Sequence, residues 1–355
     1  MKRTVKLGHS VPLSGEEGVH GRAADAAVEL AVRQANERGD LPFHLERVPL
    51  DDECSREAGR AVALHLSQDP DLLAVVGPFN STPAQAAAPV YHAARLAHIC
   101  PAASNPRLSR RGWDTFFRVV ASDEVQGREA ARFAVQVVGA RRIAVLHDRS
   151  AFGRPLAEVV AEELVAQGAE VALFAGVRRG RRRFPETVAR VRDVAPDLVY
   201  FGLIEAEGSA MAHQLRAAGV TAPFLGADGL KPSRYLETPE VDVVGPYYTS
   251  ACADVKSRPS AAQFRAAYAR CFPDLADSTI YTAEAYDAAC ILIEALRLAG
   301  AADREAVRAQ VARTRGFPGA SGPITFTAQG DRFEPRIDRY LVRQGSLVFL
   351  GATAP

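Results

Sequence analysis

Residues 72–109 read LLAVVGPFNSTPAQAAAPVYHAARLAHICPAASNPRLS. Leu72 to Val76 is an uninterrupted apolar run, long enough for one strand buried on both faces. Gly77 and Pro78 end it. Asn80, Ser81 and Thr82 then supply helix N-cap chemistry, and Pro83 suits a first helical turn. Ala84 to Ala94 predicts a helix and Ala97 to Cys100 a second strand. A second loop of small, hydrogen-bonding residues follows, from Pro101 to Pro106. Two successive parallel strands thus end in similar loops.

In open α/β sheets, ligands sit outside the carboxyl ends of the strands, where helix N-termini present free N–H groups. Ser81 and Ser104, with their neighbouring backbone N–H groups, can hold a carboxylate without a cationic side chain. The same serines also suit ordinary βα loops in which they only cap helices, and it is the tandem arrangement that favours a ligand.

At 355 residues the chain has room for two domains, each with its own core. A formal net charge of +1 argues against a nucleic-acid partner. Lysine stands only at Lys2, Lys6, Lys231 and Lys256, so arginine carries nearly all the positive charge. No apolar run approaches the ~18–20 residues needed to span a bilayer. The five cysteines, Cys54, Cys100, Cys252, Cys271 and Cys290, lack CxxC spacing, which argues against zinc. Cys252 with Cys271 is a candidate pair.

Along the chain, Val5–Leu13 predicts a first strand and Arg22–Arg38 a helix. Between them Gly15, Gly18 and Gly21 are spaced GxxGxxG, which does not fit the GxGxxG of a dinucleotide site. Phe43–Asp51 predicts a strand that ends in Asp51-Asp52-Glu53, an acidic tip without the glycine and closing glutamate of a calcium loop. Thr115–Val120 predicts another strand, followed by the turn Ser122–Gly127. A second series of strands and helices begins at Ala130. It includes the His147-Asp148 pair, the basic run 178–183, which reads as a solvated loop, and a strand over Asp242–Thr249. No Ser-His-acid or Cys-His arrangement, P-loop or metal cluster is legible, which argues against an enzyme and against any cofactor.

Pro101-Ala-Ala-Ser-Asn-Pro-Arg-Leu-Ser109 resembles the ligand loop of the type 1 periplasmic binding proteins. The branch is that of the leucine/isoleucine/valine-binding receptors of ABC transporters. Pro12-Leu13-Ser14-Gly15, Phe117-Arg118 with Gln126-Gly127, Tyr286-Asp287-Ala288 and Gly319–Phe326 with Gly330-Asp331 extend the resemblance over nearly the whole chain. It implies an α/β fold of two Rossmann-like lobes with mostly parallel sheets joined by a three-crossing hinge. One lobe would be 1–120 plus 250–325, the other 121–249 plus 326–355, with a hinge near Ala121.

The resemblance also implies an extracytoplasmic receptor that captures an amino acid or related small carboxylate between the lobes and delivers it to ABC permease subunits. A monomer, periplasmic or extracellular and membrane-associated, with its leader removed, is the matching expectation. A ligand-sensing regulatory domain of the same fold, without a transporter, is the alternative. The implied ligand set is Ser81, Ala102 through its C=O, and Ser104 from one lobe. From the other, Asp228 would bind an ammonium and Phe152 would cover the ligand. His20, Ile204 and Tyr281 complete it. Asp228 replaces the usual glutamate, and Ile204 stands where an aromatic is common. The disulfide partner of Cys54 in the family falls at Asn80, so that bridge is not expected.

Overall fold

Parallel pairing organises both halves of the chain. The computed structural model describes residues 2–230, 247–277, 280–343 and 346–353. They form two units, one of Met1–Val120 with Cys252–Glu334, the other of Ala121–Ala251 with Pro335–Pro355.

The first unit holds strands β1 (Arg3–Val11), β2 (Phe43–Asp51), β3 (Leu72–Val76), β4 (Ala97–Cys100) and β5 (Phe116–Arg118) in the order β2-β1-β3-β4-β5. All four pairings are parallel. Strands covered on both faces read as continuous apolar runs, and every residue of β3 is buried. One face carries α1 (Gly18–Arg38) and, from the far end of the sequence, α8 (Ala262–Cys271), α9 (Thr282–Ala299) and α10 (Arg304–Ala312). There Val5, Leu7, Val28, Leu292 and Leu296 share a core. The other face carries α2 (Arg56–Gln68) and α3 (Ser81–Ala93), with Val62, Leu66, Val75 and Tyr91 between. Burying each such side chain contributes about 1.5–3 kcal/mol.

A short antiparallel pair, β11 (Phe317–Gly319) with β12 (Gly322–Ile324), completes this unit. Residues 326–334, expected in the second lobe, belong here. Phe326 packs on Phe117 at 5.1 Å between ring centroids, and Asp331 accepts a bond from Arg118.

The second unit pairs β6 (Arg142–His147), β7 (Glu170–Gly176), β8 (Leu198–Gly202), β9 (Phe224–Gly226) and β10 (Tyr247–Ser250) in parallel. The hairpin β13 (Asp338–Arg343) and β14 (Ser346–Ala352) adds antiparallel, giving β14-β13-β10-β9-β8-β6-β7. One face is covered by α4 (Asp123–Arg132), a π-helical turn over Phe133–Val138, and α5 (Gly153–Ala166). The other is covered by α6 (Pro185–Val194) and α7 (Glu205–Ala217). Of the strand expected over 242–249, residues 242–246 lie outside the described residues.

Three further expectations change. Helix α1 begins at Gly18, so His20 is in its first turn and buried, not in a loop. Helix α4 begins at Asp123, within the expected turn, because Ser122, Asp123 and Glu124 are first-turn chemistry. Cys252 and Cys271 are not bridged; the Cys252 sulfur accepts the Tyr281 N–H at 3.1 Å, and all five cysteines are thiols.

Candidate ligand-binding site

In each unit the strand order reverses once: between β1 and β3 in the first, between β6 and β8 in the second. At such a switch point, loops leave the carboxyl ends of neighbouring strands in opposite directions and open a crevice. The sequence-predicted residues fall on these loops or on the loop after the next strand along, except Tyr281, which precedes α9.

In the first unit, Ser81 opens α3 and is buried, with Asn80 as its extended N-cap. Ser104 and Asn105 are buried on the loop after β4, where Ala102 is half-buried. The two loops are joined: the Asn105 N–H donates to Ser81 Oγ at 3.3 Å. His20 lies in the first turn of α1, after the β1 loop. Tyr281 precedes α9 with φ 57°, in the left-handed region, and its ring meets Phe79 edge-on at 5.8 Å. Tyr286 is turned elsewhere, its hydroxyl donating to Gln34 Oε1 at 2.6 Å.

Beneath these loops lies a polar layer that the sequence reading missed. Ser10 Oγ donates to Asp52 Oδ2 at 2.9 Å, and the Cys54 N–H donates to Asp52 Oδ1 at 3.1 Å. Burial pushes the Asp52 carboxyl up to about 7, against the pull of those two bonds. The neighbouring Tyr91 phenol and Cys100 thiol are pushed up by burial, with Asp52 adding to both shifts. Asp51 is held below its ordinary range by bonds that include the Leu13 N–H. The acidic tip is therefore a brace for the β1 loop. Among the described residues, no group of three or more His, Cys, Asp or Glu side chains is placed to hold a metal ion.

In the second unit, the loop after β6 carries Phe152, which is half-buried. Ser150 Oγ accepts the N–H groups of Phe152 at 3.2 Å and Gly153 at 2.9 Å, and Asp148 Oδ1 accepts the Ser150 N–H at 2.9 Å. Asp228 follows β9 and is 3 % exposed. Phe152 reaches the same turn: a Cβ placed on Gly229 would lie 2.5 Å from its ring. Ile204 follows β8 as the extended N-cap of α7. Two groups join Asp228 that the sequence reading did not single out, Tyr200 on β8 and Asp123 on α4. The Tyr200 phenol is raised well above its ordinary value, first by burial and then by the carboxylates of Asp228 and Asp123. Neither carries a local motif; the pairing of β8 with β9 places Tyr200, and the start of α4 places Asp123 near its phenol.

Loops and strand order define a two-unit, mostly parallel α/β architecture, and comparison with known proteins gives the family. Residues 4–343 match the periplasmic binding protein family, and the chain belongs to it. Over 332 residues, 92 % of this chain and 87 % of the other, it is 28 % identical to the leucine-, isoleucine-, valine-, threonine- and alanine-binding protein of Pseudomonas aeruginosa. A 31 % match to an amino acid binding protein of the same organism covers 64 % of this chain and 61 % of that one. Among solved structures, the leucine-binding protein LivK of Thermotoga maritima superposes with a TM-score of 0.88 at 26 % identity, covering 99 % of each chain. The fold is that of the type 1 periplasmic binding proteins. No helix among the described residues is long and apolar enough to cross a membrane.

Proposed function

We propose that this chain is the extracytoplasmic receptor of an ABC importer, binding an amino acid or a related small carboxylate and delivering it to permease subunits. The observation that carries this reading is the joined pair of strand-end loops in the first unit. The buried Ser81 at the start of α3 is bonded to the loop that carries Ser104. Helix N-terminal N–H groups and two hydroxyls suit a carboxylate. The Ala102 carbonyl and the Asp228 carboxylate would take the ammonium, and charge-assisted bonds of this kind contribute roughly 1.5–3 kcal/mol each. His20 and Tyr281 in one unit, and Phe152 and Ile204 in the other, would surround the ligand's side chain. In this reading the protein works as a monomer without a cofactor, and binding rather than turnover is its activity. Ligand engaging groups on both units would favour the closed arrangement over the open one.

The test is a thermal-shift screen of the purified protein against amino acids, amides and aromatic or aliphatic carboxylates. A ligand at ~100 times its dissociation constant adds about 2.7 kcal/mol of stability. A shift with zwitterions is expected. Asp228→Ala should then weaken that ligand at least tenfold by calorimetry, about 1.4 kcal/mol, while leaving plain carboxylates unaffected. Unchanged affinity for the zwitterion removes Asp228 from the site.

A further inference from the structure

Arg118, the last residue of β5, is the largest fully buried side chain in the molecule's described part. Its guanidinium donates in three directions: Nε to Asp331 Oδ1 at 2.6 Å, one terminal nitrogen to the Asn105 carbonyl at 3.0 Å, the other to Ser109 Oγ at 3.0 Å. Its own N–H donates to the Gly330 carbonyl at 2.9 Å. Next door, Arg332 donates to the Val119 carbonyl at 2.8 Å, to Ser321 Oγ at 3.1 Å and to the carbonyls of Ser321 and Pro323 at 3.1 and 3.0 Å. The guanidinium fork has fixed donor directions, so a buried arginine with three separate acceptors sets the spacing of the segments that carry them. Those segments are the Ser104 loop and the turn from which the chain leaves the first unit at Glu334.

We infer that Arg118 is a positioning residue, holding the 101–109 loop in register with the 330–332 turn so that ligand on the loop is felt where the chain departs for the second unit. This rests on the proposed ligand role of that loop. It joins two motifs, Phe117-Arg118 and Gly330-Asp331, that lie far apart in the sequence. Asn105 links both ends: its carbonyl accepts from Arg118, and its N–H holds Ser81.

The test uses Asp331→Asn, which removes the charge at the partly exposed end of the cluster, and Arg118→Lys, which keeps a charge but cannot serve three acceptors together. Amide hydrogen exchange of the full, ligand-free chain is read peptide by peptide. Peptides spanning 101–109 should exchange about tenfold faster in both variants, with peptides of β1 to β3 and of β6 to β8 unchanged. Should Arg118→Lys fail to fold, Ser109→Ala, which deletes one bond, should give a smaller loosening of the same peptides. Unchanged protection at 101–109 overturns the inference. So does exchange raised equally across the whole first unit, which would mark a purely structural charge. In calorimetry with L-leucine, Asp331→Asn should bind about tenfold more weakly than wild type. Wild-type protein that takes up neither L-leucine nor any member of the panel counts against the receptor reading, while the exchange result still decides the role of Arg118.

Discussion

The carboxyl edges of the two sheets share close backbone contacts and differ in how their loops are braced. In the first unit, loops are held by buried hydrogen bonds: Ser10 to Asp52, Asn105 to Ser81, and Arg118 to three acceptors. In both, backbone approaches so closely that glycine is required; in the first, a Cβ on Gly77 would lie 2.2 Å from the Ser10 carbonyl. In the second, a Cβ on Gly153 would overlap Asp148 Oδ1 and the Gly202 carbonyl, and one on Gly229 would meet the Phe152 ring and, at 2.9 Å, the Leu203 carbonyl. The first edge is sensitive to charge as well as to added volume, the second chiefly to added volume.

The largest expected effect adds volume to the second edge. Gly153→Ala should destabilise the second unit by about 2–3 kcal/mol, because one of the groups it meets is backbone and cannot turn away. Urea unfolding followed by a probe in each unit should show the loss confined to the second. A loss below about 0.5 kcal/mol would mean that the loop relaxes and the second edge tolerates added volume.

The next effect tests charge on the hydrogen-bonded edge. The folded-state value of Asp52, about 7, lies above that of a free carboxyl, ~3.9, so folding is favoured by its protonated form. That contribution is fully present below pH ~4 and is lost as pH rises to about 7. Glu284, which accepts the Ala253 N–H at 2.7 Å, is likewise pushed up to about 7 by burial and acts with the same sign. Asp52→Asn keeps the shape, and the Ser10 hydroxyl can rotate to accept from the new amide. The variant should reduce the stability decline between pH 4 and 7, read from melting temperatures across that range. An unaltered pH profile would show that Asp52 does not carry this sensitivity.

The smallest effect sharpens the comparison on a hydroxyl brace of the second unit. Ser150→Ala frees the Phe152 and Gly153 N–H groups and should cost about 1 kcal/mol, as loss of an N-terminal cap does. The same measurement on Ser55→Ala, which caps α2 through the Ala58 N–H at 3.1 Å, provides the reference in the first unit.

Much of this architecture was legible because its signals are local. The unbroken apolar run Leu72–Val76 could only be a strand covered on both sides, and the residues after Val76 and Cys100 spelled out loops suited to a strand's carboxyl end. What escaped was non-local or ambiguous in type. Gly18 and Gly21 suggested a loop because glycine disfavours helices, yet α1 runs through both. Arg118 and Asp331 stand 213 positions apart, and no spacing rule connects them. Asp52 read as part of an acidic strand end, and only the fold places it at 0 % exposure under Ser10.

The first unit is also assembled from the two extremes of its own sequence. Tyr268 on α8 donates its hydroxyl to the Ala23 carbonyl at 2.8 Å, and Tyr286 on α9 reaches Gln34, so these helices cover α1 and the face of β1 beneath it. On a ribosome adding ~5–20 residues per second, that apolar face waits on the order of tens of seconds for its cover. The parallel strands β6 to β10 emerge in the interval and can pair meanwhile. A nascent chain halted before Thr282 leaves Val5, Leu7 and Val28 bare, a surface for chaperones to hold and proteases to find. The arrival of α9 therefore marks the moment in synthesis when the first unit can protect itself.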